Sequence, residues 1–137
     1  MSNSGKHHQS GCPVAFGIDT FGDRWTLLVI RDMLLHGKTT YGDFLGSDEQ
    51  IATNILADRL KHLEAEGIVE KDRDSDNRRS YIYTLTDKGF ALAPVIFEII
   101  RWSGNYIPFN KARKELLRKI EIDPEGFMKE LKTAGKT

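Results

Sequence analysis

Residues 51–86 read IATNILADRLKHLEAEGIVEKDRDSDNRRSYIYTLT, and this stretch decides the fold. Its first part has apolar residues at helical spacing, which predicts a helix with one buried face. That stripe consists of Ile51, Ile55, Leu56, Leu60 and Leu63. Gly67 follows the stripe and is the expected C-terminal stop, because glycine readily takes the left-handed conformation that ends many helices.

The second part of the stretch predicts a β-hairpin. Two strand-like segments, Ile68–Arg73 and Tyr81–Leu85, flank the polar loop DSDNRR, whose residue types favour tight turns. The order of helix, strand, charged loop and strand is that of a winged helix-turn-helix, which reads DNA with one helix. The expected fold class is therefore mainly α with a small β-hairpin (α+β).

A short amphipathic segment, Tyr41–Leu45, precedes this helix and supplies the first helix of the helix-turn-helix. The start of the second helix stays open between two interpretations. Ser47 followed by Gln50 matches a capping box and would begin the helix at Asp48. The apolar spacing instead begins at Ile51.

Side chains that point away from the apolar stripe are the candidates for contact with DNA. Thr53, Asn54 and Ala57 lie near the helix start, where base edges are met, and Asn pairs well with adenine. Arg59 and Lys61 are better suited to phosphates, which position a protein without reading sequence. An ordinary solvated helix is the competing interpretation, because Asp58, Glu64 and Glu66 make residues 51–66 slightly acidic.

The hairpin loop is the second candidate contact. Guanidinium groups pair with phosphates and enter narrow minor grooves. The candidate residues are Arg73, Asn77, Arg78 and Arg79. Three nearby aspartates cancel the local charge, so an exposed charged turn is the alternative.

Helical patterns flank the central stretch on both sides. Pro13–Phe21 predicts a short first helix, and Asp23 is the expected N-cap of a second one that ends at Gly37. After the hairpin, Thr86 caps a predicted long helix that is apolar on almost every side from Phe90 to Tyr106 and is kinked at Pro94.

An all-round apolar helix contacts two surfaces, so we expect one face to bind a partner subunit. The interface candidates are Leu92, Val95, Ile96, Ile99, Trp102 and Tyr106.

The chain divides into a flexible arm over residues 1–11, a winged helix-turn-helix domain with its dimerisation helix over 12–107, and a helical extension over 108–137. In the extension, residues 111–119 form a basic helical segment, and Asp123 with Pro124 begins a last short helix. The role of this extension is open at this point.

Composition narrows the function classes. The chain has 137 residues with 39% hydrophobic and 29% charged residues, and its 20 basic residues balance its 20 acidic ones. Zero net charge argues against a non-specific coater of nucleic acid but allows a specific binder. A single cysteine excludes an internal disulfide, and no metal site, cofactor site or catalytic arrangement is expected. Without an apolar membrane span or signal peptide, we expect a soluble cytoplasmic protein.

Four separated motifs resemble the HxlR-type winged-helix transcriptional regulators over about residues 12–106. They are CPV, DRWTLLVIRDMLLHGKTTYGDF, ILADRLKHLEAEGIVEK and RRSYIYTLTDKG, in that order. The resemblance implies a homodimeric prokaryotic DNA-binding repressor or activator whose terminal helices form the dimer and whose wing touches DNA. Family members often carry a serine where this chain has Ala52, so the capping of the recognition helix is altered.

Cys12 stands at a position that is a redox- or electrophile-sensing thiol in some members of this group. A helix N-terminus favours the reactive thiolate form of a cysteine, and two such thiols could be linked across a dimer. An inert cysteine is the alternative. The leading hypothesis is a sequence-specific regulator that binds a palindromic operator as a homodimer, with an unknown small-molecule effector; the alternative is a winged-helix protein-interaction module without DNA binding.

Overall fold

A computed structural model describes residues 10–135 of the chain, so most of the arm predicted over residues 1–11 lies outside it. Helices lead into one two-stranded antiparallel hairpin and resume after it. The elements are α1 (Pro13–Phe21), α2 (Arg24–His36), α3 (Tyr41–Leu45), α4 (Thr53–Ala65), β1 (Val69–Arg73), β2 (Tyr81–Leu85), α5 (Asp87–Phe90), α6 (Ala93–Gly104), α7 (Lys111–Ile122) and α8 (Pro124–Gly135). The predicted α+β class and the winged helix-turn-helix are confirmed.

The hydrophobic core is built around α2. This helix packs against α4, β2, α6 and α8. Ile30 and Leu34 of α2 are 0% and 3% exposed, and Leu56 of α4 is 0% exposed. Burial of such side chains contributes about 1.5–3 kcal/mol each. The packing of α4 against α2 therefore fixes which face of α4 is exposed to solvent.

The C-terminal extension packs onto the same core. Ile120 of α7 and Phe127 of α8 are buried members of the core cluster. The ring of Phe127 stacks on Phe97 of α6 with 5.4 Å between centroids. Asp123 caps α8 as predicted, because its carboxylate accepts from the Gly126 N–H at 3.0 Å. Residues 108–135 therefore add two packed helices to the winged helix.

Several helix boundaries follow the predicted caps. The Asp23 carboxylate accepts from the Thr26 N–H at the start of α2, and the Thr86 hydroxyl accepts from the Gly89 N–H at the start of α5. Gly67 has φ +75° after α4, as a helix stop requires. Gly89 packs so closely on the Ile68 carbonyl that a Cβ would collide with it.

The prediction of one long kinked helix after the hairpin was wrong. Helix α5 ends at Phe90, and α6 begins at Ala93 with Pro94 in its first turn. Proline is favoured there because the first N–H groups of a helix have no intrahelical partner. Pro94 therefore starts a helix and does not kink one.

Of the two interpretations of the start of α4, the capping box at Ser47 was wrong. Gln50 has φ +58°, which no residue of a right-handed helix adopts, and α4 begins at Thr53. The Ser47 hydroxyl donates to Asp32 instead of capping α4. Ile51 and Leu56 stand at the positions of a hydrophobic staple, and both are buried in the core. Burial of these two side chains sets the helix start.

Candidate nucleic-acid interface

The solvent face of α4 carries the residues predicted to read bases. Leu56, Leu60 and Leu63 are at most 1% exposed and point to the core. The opposite face is exposed and consists of Thr53, Asn54, Ala57, Asp58 and Lys61. The helical period explains this division, since positions three and four apart share a face. A DNA groove laid on this face would meet an amide, a hydroxyl and two methyl groups.

The first turn of α4 is open. Its N-cap is Ala52, whose extended backbone has the conformation of a cap but whose side chain makes no cap hydrogen bond. The N–H groups of a helix's first turn carry partial positive charge and bind phosphate when they are free. Because Ala52 has no side-chain acceptor where relatives often have serine, the backbone N–H groups near Thr53 and Asn54 have no side-chain cap.

Arg59 is placed differently from the other predicted phosphate contacts. Its Nε donates to the Asp23 carboxylate at 2.8 Å, and its Nη1 pairs with Asp58. Burial alone would raise the pKa of Asp23, but hydrogen bonds from the Thr26 N–H and from Arg59 hold that pKa below its ordinary value. Arg59 therefore ties α4 to the start of α2, whereas Lys61 extends into solvent.

A second contact ties α4 to α1. Nε2 of His62 donates to the Thr20 carbonyl oxygen at 2.7 Å. His62 is half-buried at this contact. The two contacts fix the roll of α4 about its axis, which decides the side chains it presents.

The turn between α3 and α4 is held by a charged network that sequence reasoning missed. Asp32 is 3% exposed, and its carboxylate accepts from Ser47 and Arg31. Arg31 also donates twice to Glu49, at 2.8 and 2.9 Å. Lys38 lies 3.6 Å from Asp32 and completes the network. An acidic residue on the buried stripe of α2 was the available signal, because a buried carboxylate needs partners.

The hairpin forms with both predicted strands. Arg73 pairs with Tyr81 at the open end, and Val69 pairs with Leu85 at the base. The hairpin is joined to the linker between α2 and α3, because the Tyr83 N–H donates to the Thr39 carbonyl at 2.8 Å. Burial raises the pKa of the Tyr83 phenol to about 12.

Side chains of the hairpin loop fold the loop itself. The Asn77 side chain accepts from the Arg79 N–H at 3.2 Å, and the Asp74 side chain accepts from the Asp76 N–H at 2.9 Å. Arg73 donates to the Arg78 carbonyl and lies over the Tyr81 ring at 4.8 Å. Arg73 and Asn77 therefore shape the loop.

The two adjacent arginines of the loop, Arg78 and Arg79, are accessible to a ligand. Arg78 and Arg79 are exposed, and neither guanidinium forms an ion pair with any residue from 10 to 135.

The predicted interface residues divide between two faces of α6. Ile99 and Trp102 are 46% and 67% exposed, and Tyr106 just after the helix is 71% exposed. The Trp102 and Tyr106 rings lie 4.9 Å apart, and half-buried Val95 borders the same open face.

The remaining two interface candidates pack on the subunit itself. Ile96 is 4% exposed and faces the core, so its assignment to a dimer interface was wrong. Leu92, at the N-cap of α6, is half-buried and also packs against the core. The helical period turns Ile96 to the side of α6 opposite the open face.

Cys12 is exposed and stands at the N-cap of α1. Val14 and Ile18 of α1 are 67% and 60% exposed, so α1 presents a second apolar surface. Among residues 10–135, no cluster of His, Cys, Asp and Glu has the arrangement of a metal site. Within the same range, every helix is too short or too polar to cross a bilayer.

Comparison with known proteins shows the family. The HxlR-like helix-turn-helix family matches residues 20–111. The HTH-type transcriptional regulator YvaP of Bacillus subtilis (strain 168) is 34% identical over 90 residues, which are 66% of this chain and 82% of that protein.

Solved structures agree with this assignment. The crystal structure of PA1607 superposes with a TM-score of 0.68 at 37% identity, covering 77% of this chain and 72% of that one. The redox regulator HypR in its oxidised form superposes with a TM-score of 0.63 at 26% identity, covering 72% and 100%. The chain therefore belongs to the HxlR-like helix-turn-helix family of DNA-binding transcriptional regulators.

Proposed function

We propose that the chain acts as a homodimer that binds a palindromic operator in the cytoplasm. Each subunit inserts α4 into a major groove, where Thr53, Asn54 and Ala57 read base edges. Each hairpin lays Arg78 and Arg79 on the neighbouring backbone or minor groove. Two-fold symmetry would set the two α4 helices about 34 Å apart, one turn of DNA.

The observation that carries this proposal is the exposure of two separate sets of DNA-compatible side chains on one winged helix. Asn54 lies on the solvent face of α4, and Arg78 and Arg79 are exposed at the hairpin loop. The net charge of zero is no obstacle, because a specific binder needs basic side chains at its contact surface and not over the whole chain. The proposal places the exposed guanidinium groups of Arg78 and Arg79 on DNA.

The apolar surface of α6 supports the homodimer. An aromatic and aliphatic face is exposed along and just after α6, and it consists of Ile99, Trp102 and Tyr106. Faces of this kind usually mark an interaction site. A two-fold contact between two such faces removes them from water.

Selection of bound duplexes from a random DNA pool tests the proposal with the full chain. We expect an inverted repeat whose half-site centres are about one helical turn apart. Enrichment of no sequence would overturn it and favour the alternative, a winged-helix module that binds protein only.

Replacement of both hairpin arginines tests the wing. Arg78→Ala/Arg79→Ala should weaken operator binding and reduce the slope of log affinity against log salt by about 1 for each phosphate that the wing no longer neutralises. The measurement is fluorescence anisotropy with a labelled operator across a salt series.

The matched control is Arg113→Ala/Lys129→Ala, which removes the same charge from exposed positions of α7 and α8. We expect operator affinity and salt slope to stay at the wild-type values. An equal weakening in both double variants would show a general charge effect and refute a specific wing contact.

We further propose that Cys12 makes operator binding sensitive to oxidants. The thiol is exposed at the start of α1, and α1 contacts the recognition helix through Thr20 and His62. The similar protein HypR is named a redox regulator. Oxidation would join the Cys12 Sγ atoms of two subunits, and the oxidant would take up the two electrons and two protons that the thiols lose.

Treatment with diamide tests this role. We expect a dimer-sized band on non-reducing gels and a change in operator affinity of at least about fivefold, the usual lower end of a coupling free energy. Dithiothreitol should reverse both, and Cys12→Ser should abolish both. A Cys12→Ser protein that still responds to diamide would remove this thiol from the mechanism.

A further inference from the structure

A cavity of about 730 Å³ lies between the end of α2, the base of the hairpin, α5 and α8. Small-molecule sites have volumes of about 300–1,000 Å³. Helix α8 supplies one wall through Leu131, Ala134 and Gly135. The family match ends at residue 111, so this wall belongs to the part of the chain beyond the matched region.

The cavity has an apolar floor. Met33, Leu34 and Phe90 line it and are 7%, 3% and 9% exposed. Tyr83 adds a buried ring from β2, and Leu131 adds a half-buried side chain from α8. A hydrocarbon or aromatic body would therefore displace water from apolar surface on entering, which is favourable.

The charged residues that line this cavity differ in whether they form an ion pair. Lys38 lies 3.6 Å from the buried Asp32, and Asp87 receives Lys132 at 2.9 Å. Glu70, on the exposed side of β1, has no charged partner between residues 10 and 135. Pairing thus leaves one negative charge at the mouth of the cavity.

We propose that this cavity binds an organic monocation, with an aromatic or aliphatic body on the floor of Met33 and Phe90 and an ammonium group near Glu70. The body fits the apolar lining, and the charge complements the unpaired carboxylate. A bound molecule would contact α8 and both hairpin strands, so it would join the C-terminal extension to the base of the wing.

Three probes with one ring system test the proposal by isothermal titration calorimetry on the full chain. They are 1-naphthylmethylamine, 1-naphthalenemethanol and 1-naphthoate, which are cationic, neutral and anionic at pH 7. We expect the amine to bind about tenfold more tightly than the carboxylate, a difference of about 1.4 kcal/mol. This measurement needs no DNA, so its outcome is separate from that of the operator experiment.

Variants locate the binding. Ala134→Trp should fill the cavity and weaken amine binding by at least about tenfold, whereas Ala112→Trp, at an exposed alanine of α7, should not change it. Glu70→Gln should bring the amine and the carboxylate within about threefold of each other while leaving the alcohol unchanged. The control is Glu115→Gln, which removes an exposed carboxylate elsewhere.

Three outcomes would overturn the proposal. No saturable heat with any probe would exclude the site. Equal binding of amine and carboxylate by the wild type would exclude the charge preference. Wild-type amine affinity in a folded Ala134→Trp protein would place the ligand elsewhere. Glu70 is a surface residue, so Glu70→Gln still tests the charge preference if Ala134→Trp fails to fold.

Discussion

Asp32 shows how one buried carboxylate positions a DNA-reading element. It lies on α2, yet it accepts from Ser47 in the turn before α4, and Arg31 links it to Glu49 in the same turn. The turn also contains Gln50 in a left-handed conformation, which costs energy for a residue with a side chain. The network holds this turn against α2, so the start of the recognition helix is fixed by side chains that do not touch DNA.

The pH dependence of stability tests this network. The hydrogen bonds from Arg31 lower the pKa of Glu49 from 4.5 to about 2. A lowered folded-state pKa stabilises the fold above the unfolded-state value, and this contribution is lost as the pH falls from about 4.5 to 2. Glu49→Gln should therefore be less stable than wild type at pH 6, by on the order of 1 kcal/mol for a partly exposed pair.

Urea unfolding at a series of pH values measures this difference. The difference between wild type and Glu49→Gln should shrink as the pH approaches 2. Asp48→Asn, an exposed neighbour, is the control and should show no such trend. A difference that stays constant with pH would contradict the assigned cause.

Sequence periodicity predicted which side chains are exposed better than it predicted which side chains form ion pairs or hydrogen bonds. It placed Asn54 outside and Leu60 inside correctly, because a helix of known register leaves no alternative. It did not pair Arg59 with Asp23, which is 36 residues away, or Asp32 with Ser47, which is 15 residues away. Such pairs depend on how helices pack, and a single helical pattern carries no information about that.

At the level of elements, the start of α4 is its least protected part. Ala52 has the backbone of an N-cap but offers no acceptor to the first turn. The staple of Ile51 and Leu56 replaces the cap as the feature that fixes the boundary. The sequence left two starts open because the spacing of Ser47 fitted a capping box, and burial of apolar side chains decided between them.

Restoration of the cap should stabilise the domain. Ala52→Ser places a hydroxyl where it can accept from the N–H of residue 54 or 55, and we expect a gain of about 1 kcal/mol in the free energy of unfolding. Urea denaturation monitored by circular dichroism measures it. Ala65→Ser, at the last residue of α4, is the control; an equal effect of both substitutions would rule out capping as the cause.

At the level of the whole molecule, one core serves the winged helix and the C-terminal helices alike. Phe97 and Phe127 stack across α6 and α8, and this contact leaves the opposite side of α6 in solvent. The sequence pattern correctly predicted apolar residues on both sides of α6. It assigned Ile96 to the wrong side because an almost fully apolar helix shows no polar face from which to judge its register.

A charge on the open face of α6 should separate subunits. Ile99→Glu would bury two carboxylates in a symmetric interface, so we expect the dimer dissociation constant to rise by at least about tenfold. Analytical ultracentrifugation measures it. Ile122→Glu, at an isoleucine that is 70% exposed at the end of α7, is the control and should leave association unchanged. Identical sedimentation of wild type and Ile99→Glu would exclude α6 as the interface.

The two tryptophans of the chain sit in contrasting surroundings. Trp25 packs partly against the core, whereas Trp102 is 67% exposed on the face of α6 assigned to the partner. Indole emission moves to shorter wavelength when water is removed, so subunit association would shift the Trp102 component and leave that of Trp25 in place. Dilution of unlabelled protein, followed by its emission maximum, would then report assembly optically.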